Sequence, residues 1–259
     1  MPYPTRDENV TMTTVLGIDI GGTGIKGAPV DTRNGSLLAD RHRIPTPQPA
    51  TPDAVTEVVA ELAKFFEWTG PTGATFPAVV KDGVPRTAAN VDDSWIGTDA
   101  AGKFSAAIGG TVTVVNDADA AGVAEMRVGA GRGERGVVMM LTFGTGIGTA
   151  LFADGRLWPN TELGHLEVDG REAEHRASAR VRTVEQLDWP AWCERVNLVL
   201  ARYHLLLWPD LFIIGGGVSE RWEEFAGLLR SPARIVPARL RHTAGVVGAA
   251  LYAAEAAVR

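Results

Sequence analysis

The stretch "LGIDIGGTGIKGAPVD", residues 16–31, decides how this chain is read. An apolar run ends at Asp19, then come Gly21, Gly22, Thr23, Gly24 and Lys26, and Ala28, Pro29 and Val30 continue as extended chain. Gly22, Gly24 and Gly27 have the spacing of a dinucleotide fingerprint, but that loop must open a helix whose N-terminus receives the pyrophosphate. The return to strand makes this a glycine hairpin instead. A tight turn without side chains lets backbone N–H groups converge on an oxyanion.

Outward from this hairpin, residues 36–44 read as a third strand, joined through the turn signal "DTRNG" into an antiparallel meander. The same order recurs in "GVVMMLTFGTGIGTALFADGRLW", residues 136–158: strand, glycine-threonine-glycine turn, strand, Asp-Gly turn, strand. The chain therefore carries one design twice. Two such turns facing each other across a cleft can hold a phosphate chain from both sides. Thr23 and Thr145 would add hydroxyl donors, Lys26 a positive charge, and Asp19 a carboxylate able to hold magnesium through water. The plain alternative is that each glycine pair only closes a hairpin; the duplication, with "GGG" at 215–217, argues against it.

Other segments follow local rules. Thr51 and Pro52 make a helix entry, and Val55, Val58, Val59, Leu62, Phe65 and Phe66 share one face at helical spacing. "GTVTVVND" reads as a strand ending at Asn116 and Asp117, followed by a helix; further helices are expected over about residues 189–208 and 243–258. "GRGERG" at 131–136 precedes a strand with none leading into it, and "GTDAAGKF" at 97–104 has Phe104 where a P-loop needs a magnesium-binding hydroxyl. Neither is taken as a nucleotide loop.

The 259 residues suit one large domain or two lobes of roughly 100 to 150 residues. A net charge of −6 gives no general attraction to nucleic acid or anionic lipid. Cys193 is the only cysteine, so no internal disulfide forms and a reducing, cytoplasmic setting is expected. Residues 1–13 contain Arg6, Asp7 and Glu8, unlike a signal peptide, and are expected to be a loose tail. No run approaches the roughly 18 apolar residues that span a bilayer, so neither membrane nor nucleic acid is an expected partner.

If an alcohol attacks a terminal phosphoryl group, a carboxylate in hydrogen-bond reach must accept its proton. Asp117 and Asp119 both qualify by position, and either could instead cap the following helix.

"DIGGTGIKG", "NDADAAG", "LTFGTGIGTALF", "ELGH" and "IIGGGVS", in that order over about residues 14–255, resemble the ROK sugar kinases of the actin and hexokinase superfamily. "TAANVDDSWIGTDA" and "PNTELGHLEVDG" are similar to the wording of the subgroup of glucokinases that use polyphosphate. The resemblance implies an α/β, two-lobed, ribonuclease H-like fold: residues 14–115 completed by 243–258 as one lobe, 116–242 as the other, with the active site in the cleft. It selects Asp117 as base, Asn116, Asn90, Glu162, His165 and Glu174 as sugar ligands, and Asp19, Gly21, Gly22, Thr23, Lys26, Gly144, Thr145, Gly146, Gly216 and Gly217 as the phosphate side. Asp119 becomes structural. The implied reaction is transfer from polyphosphate, and from ATP as a second donor, to the 6-hydroxyl of glucose with Mg2+, in a homodimer whose interface is formed by the long helices of the second lobe. An ATP-only kinase for glucose, mannose or an N-acetyl hexosamine is the rival enzyme; a non-catalytic sugar sensor is the rival of another class.

Two departures from the family stand out. Typical members follow "GH" with a cysteine-rich loop that binds zinc together with the histidine; residues 166–180 have no cysteine, so no structural zinc is expected. Ala78 stands in "ATFPAVV" where the family usually has glycine. His204, on an apolar helix, is expected to be a packed, satisfied side chain. A polyphosphate chain needs a cationic track, for which Lys103, Arg127, Arg132, Arg135, Arg176, Arg180 and Arg182 are candidates; arginine outnumbers lysine throughout, so they are equally expected as ordinary surface charges.

Overall fold

The structure, a computed structural model, describes residues 13–89 and 91–257. The tail expected over residues 1–13 lies almost wholly outside them, as does Asn90.

β1 (Thr14–Ile20) and β2 (Ile25–Asp31) pair antiparallel without a break from Thr14↔Asp31 to Ile20↔Ile25. β9 (Val137–Phe143) and β10 (Ile147–Ala153) repeat this from Val137↔Ala153 to Phe143↔Ile147, and β1 and β9 bury their residues in the same order. The duplication extends to whole sheets. The first runs β3 (Ser36–Leu37), β2, β1, β5 (Thr72–Phe76), β8 (Val112–Asn116), with β4 (His42–Ile44) also on β2. The second runs β11 (Arg156–Trp158), β10, β9, β14 (Leu211–Gly215), β15 (Arg234–Pro237). In each, an antiparallel meander joins two parallel strands. Small hairpins β6 (Val80–Lys81) with β7 (Val84–Pro85) and β12 (Glu167–Val168) with β13 (Arg171–Glu172) lie outside both sheets.

The single strand expected over 36–44 is split. β3 pairs Leu37 with Val30, but β4 pairs His42 with Gly27, a register shift of two residues. Pro29 lies between these pairings: its carbonyl accepts the Leu38 N–H at 2.8 Å but it has no N–H to return, so the ladder breaks after Leu38 and the chain loops out over residues 39–41.

Helices α1 (Pro52–Phe65) and α2 (Ala100–Ile108) cover the outer face of the first sheet; α6 (Trp189–Leu207), with short α4 (Ala173–Ala177) and α5 (Ala179–Val184), covers that of the second. α1 starts as expected: Pro52 is in the first turn and the Thr51 hydroxyl accepts the Ala54 N–H at 3.4 Å. α3 (Asp117–Val128) and α7 (Ala244–Ala256) pack between the sheets, joining Val15 and Val30 to Met140 and Phe152 in one apolar seam. They approach so closely that a Cβ on Gly248 would strike the Ala120 carbonyl. β8 leads directly into α3, so Asn116 and Asp117 stand where the first sheet hands the chain to this seam.

His204 departs from expectation. Its ring packs on Trp208 with centroids 5.0 Å apart, but its buried Nδ1 finds no hydrogen-bond partner among the described residues. No described helix is long and apolar enough to cross a membrane.

Candidate active site

Alternation along β1 and β2 sets the first group. Asp19 and Lys26 are cross-strand partners, so their side chains share a face, with Nζ 3.7 Å from Oδ2. Thr75 of β5 fixes the carboxylate by donating to Oδ1 at 2.9 Å while accepting the Ile20 N–H at 3.0 Å. Arg43 of β4 is the partner of Lys26 on the other side and brings a second cation to this edge.

The first turn is held through its carbonyls. Gly21 O accepts the Thr46 hydroxyl, Gly22 O accepts Gln48 Nε2 at 3.4 Å, and Thr23 O accepts Arg43 Nη2 at 2.7 Å. A Cβ on Gly24 would lie 2.5 Å from the Arg43 guanidinium, so glycine is needed for that clamp. No acceptor among the described residues takes the N–H of Gly22 or Thr23, and Thr23 is exposed at the tip. A cavity of about 420 Å³ opens beside the turn, lined by Gly22, Gln48, Pro49, Ala50, Val91 and Asp92.

The second turn is held by other means. Gly144 N–H bonds Gly146 O at 3.0 Å, the Arg180 N–H takes Gly144 O at 3.1 Å, and Glu174 Oε2 accepts the Ile147 N–H at 3.3 Å. Glu174 lies so close that a Cβ on Gly146 would fall 2.3 Å from its oxygen. Thr145 is exposed, and its N–H and that of Gly146 have no acceptor among the described residues. Gly216 adopts φ +80° and presses on the backbone of Phe143, at the entry to this turn, while Gly217 faces open space.

Asn116 caps α3, its Oδ1 accepting the Asp119 N–H at 3.0 Å; this decides which of the clustered polar residues is the cap. Its amide N–H groups go to Ala78 O at 3.0 Å and Glu162 Oε1 at 3.5 Å. The amide expected to hold sugar is thus 6% exposed and in contact with protein partners, among them Glu162. Ala78 is itself 4% exposed, its methyl group packed in the core of the first half.

Asp117, one residue on, is exposed at the start of α3, though protein atoms crowd its carboxylate enough to desolvate it. Burial raises its pKa to about 6 against the opposing Ala118 N–H, which Oδ1 accepts at 2.8 Å; the charges of Asp19 and Glu162 raise it further. Burial likewise raises the Glu162 carboxyl, with the Glu174 charge adding to it and His165 opposing. These couplings join one turn to the other: Asp19 acts on Asp117, Asp117 neighbours Glu162, Glu162 neighbours Glu174, and Glu174 touches Gly146.

Asp119 is 1% exposed and turned inward, and burial raises its pKa to about 7. Its Oδ2 accepts the Asn160 N–H at 2.7 Å, and Asn160 in turn bonds both backbone groups of Val80, pinning the segment before Glu162 to the first half. Its Oδ1 has no hydrogen-bond partner among the described residues.

His165 Nδ1 stands 3.1 Å from Glu172 Oε2 and 3.8 Å from Glu174 Oε1, and the Glu172 bond is the main cause of its raised pKa. His165, Glu172 and Glu174 form the one group among the described residues whose donor atoms, all within 4.8 Å, could gather a metal ion.

Several cations proposed as a track have other duties. Lys103 pairs with Asp53 at 2.7 Å, Arg127 bridges Glu255 and Gly155 O, Arg176 bonds Val168 O, and Arg182 stacks on Trp189 at 3.6 Å. Arg180 stays beside the second turn. Sequence reasoning missed Arg43, Thr46, Gln48, Thr75 and Glu172. A weak signal existed for Arg43 alone, since a strand there would align it with Lys26.

Paired sheets, inner helices α3 and α7, and a carboxylate chain strung between two glycine turns define the two-lobed α/β fold of the actin and hexokinase type. The chain belongs to the ROK family, whose sequence profile matches residues 15–186. It is 53% identical to the polyphosphate glucokinase of Mycobacterium tuberculosis (strain CDC 1551 / Oshkosh) over 237 residues, 91% of this chain and 89% of that protein. The inorganic polyphosphate/ATP-glucomannokinase of Arthrobacter sp. strain KM superposes with a TM-score of 0.89 at 48% identity, covering 94% of this chain and 99% of that one. A ROK family glucokinase from Streptomyces griseus, solved with glucose and AMPPNP, gives 0.76 at 26% identity, covering 92% and 98%.

Proposed function

We propose that this chain is a glucokinase that transfers the terminal phosphoryl group of inorganic polyphosphate to the 6-hydroxyl of glucose, with ATP as a second donor. The observation that carries the reading is Asp117, a cleft carboxylate with a pKa of about 6, set between two turns that keep N–H groups for an anion. The donor is supported by the name of the 53% identical relative and by the Arthrobacter neighbour, whose name couples polyphosphate with ATP and glucose with mannose.

Asp117 accepts the proton of the sugar hydroxyl as its oxygen attacks phosphorus; the bond to the bridging oxygen breaks, and the shortened polyphosphate leaves. A pKa of about 6 leaves Asp117 ionised at neutral pH yet more basic than an ordinary carboxylate. Lys26, the N–H groups of Gly22, Thr23, Thr145 and Gly146, and the exposed Gly144 and Gly217 accommodate and neutralise the phosphates. Gly21 and Gly216 shape the two phosphate-side loops. Glu162, His165 and Glu174 take sugar hydroxyls, where an unpaired buried acceptor penalises the wrong sugar; Asn90 is assigned with them on the family resemblance.

Magnesium fits this site. Asp19 is a carboxylate fixed by Thr75 and paired with Lys26, and its charge helps to raise the pKa of Asp117; a hard divalent ion bound through Asp19 and donor phosphates would offset that negative charge. When bound it supplies charge neutralisation at the donor. We further propose lobes of residues 14–115 with 243–258 and of 116–242, and a cytoplasmic location, which suits the single buried thiol Cys193. A homodimer through α6 is supported by exposed Leu198, Leu205 and Leu206 on that helix and is tested by light scattering.

The deciding experiment follows sugar phosphate formation with polyphosphate and with ATP, on glucose, mannose and N-acetylmannosamine. Polyphosphate-driven turnover of glucose is expected. Activity with ATP alone, or with the N-acetyl sugar in preference to glucose, would overturn the reading.

A further inference from the structure

Glu172 has no role in the site as described, yet its surroundings are built with care. It ends the β12–β13 hairpin, whose two-residue turn places Asp169 at φ +49° and Gly170 at φ +78°, the left-handed pair of a type I′ turn. Arg176 of α4 staples this hairpin, donating Nε and Nη2 to Val168 O at 3.1 and 2.8 Å and Nη2 to Asp169 O at 3.1 Å. The Ala173 N–H closes its base on Leu166 O at 2.9 Å, and Val168 anchors it at 2% exposure. The Glu172 carboxylate is thus delivered 3.1 Å from His165 Nδ1 by a pinned element. The His165 side chain is 57% exposed, with little packing to orient it.

We propose that Glu172 is a positioning residue: its carboxylate accepts the Nδ1–H of His165, holds the ring, and turns Nε2 to a sugar hydroxyl. A neutral imidazole has one donor and one acceptor nitrogen, and a carboxylate at Nδ1 selects which is which. Glutamine at 172 can donate or accept, so it removes that selection while preserving shape. Glu174 at 3.8 Å is too far for the same bond and is already used by the second turn. The inference rests on the reading of His165 as a sugar ligand.

The test measures glucose KM, kcat and donor KM for wild type, Glu172→Gln and Glu172→Ala, with thermal melting as a fold control; the half-exposed position predicts unchanged melting. Glucose KM should rise about tenfold or more, the worth of roughly one hydrogen bond to a charged group. Both kcat and the polyphosphate KM should stay within about twofold, since the acceptor side alone is disturbed. An unchanged glucose KM, or a fall in kcat without a rise in KM, overturns the inference. A wild-type protein stripped with EDTA and assayed with magnesium alone separates a metal from the carboxylate: a matching rise in KM, reversed by zinc, would show that an ion orients His165 and overturn the role given to Glu172. Wild type inactive on glucose overturns the reading of the site and this inference together, whereas active wild type with an indifferent variant overturns this inference alone.

Discussion

The turns at 21–24 and 144–146 join strands of equal length, but different chemistry secures them. The first is gripped on three carbonyls by Thr46, Gln48 and Arg43, and carries Lys26 beside it. The second is backed by a carboxylate, Glu174, which accepts the Ile147 N–H and borders the residues assigned to sugar. Duplication supplied two anion-ready bends. What distinguishes them is the segment that folds back on each: a cationic edge strand on the first, an acidic helix start on the second. The difference teaches that two like bends proposed to grip one phosphate chain can still be told apart by their supports, the second bordering the residues assigned to sugar.

The largest test is of the group between them. Asp117→Asn should lower kcat by about 100- to 10,000-fold, the usual worth of a general base, while glucose affinity by calorimetry changes less than about threefold. Retained turnover would remove Asp117 from the chemistry. Acidity tests the same group more gently. Because Asp117 must be ionised to accept a proton, kcat/KM should fall about tenfold per pH unit below its pKa of about 6 and level off above it, in a pH–rate profile with polyphosphate.

The comparison itself is broken or sharpened by a pair of variants. In Gly24→Ala the new methyl group displaces Arg43, so donor KM should rise, on the order of tenfold, with glucose KM near wild type. In Gly146→Ala it displaces Glu174, so glucose KM should rise by a similar order. Were Gly146→Ala to leave glucose KM unchanged, the assignment of Glu174, behind the second turn, to the sugar would fail.

The smallest effect concerns stability. Asp119 has a folded pKa raised to about 7, so the folded state holds its proton where the unfolded state has lost it. Stability therefore falls as pH rises from the ordinary carboxylate range to about 7, by on the order of 1 kcal/mol per unit. Asp119→Asn should flatten that slope in denaturant melts taken across this range; an unaltered slope would assign the cost to another group.

Much of the architecture was legible because its signals are local. The glycine hairpins, the Thr51 cap and the break between β8 and α3 each depend on residues a few positions apart, where steric and capping rules act. Pro29 could have announced the split of residues 36–44 as well, since a missing N–H is visible in the letters. Less of the site was legible. That Asn116 caps α3 and contacts Ala78 and Glu162 came into view only with the fold. The arginines and Lys103 looked like a track until Asp53, Glu255, Val168 and Trp189 claimed four of them.

The order of strands and bends, with one carboxylate waiting after the β8 strand, was written in the sequence alone, because backbone geometry and side-chain period are set residue by residue. The proton affinity of Asp117, the clamp of Arg43 on Gly24 and the hold of Glu172 on His165 were decided only by tertiary structure. Desolvation, charge coupling and steric exclusion depend on which distant segments arrive beside a group, and no local pattern states that.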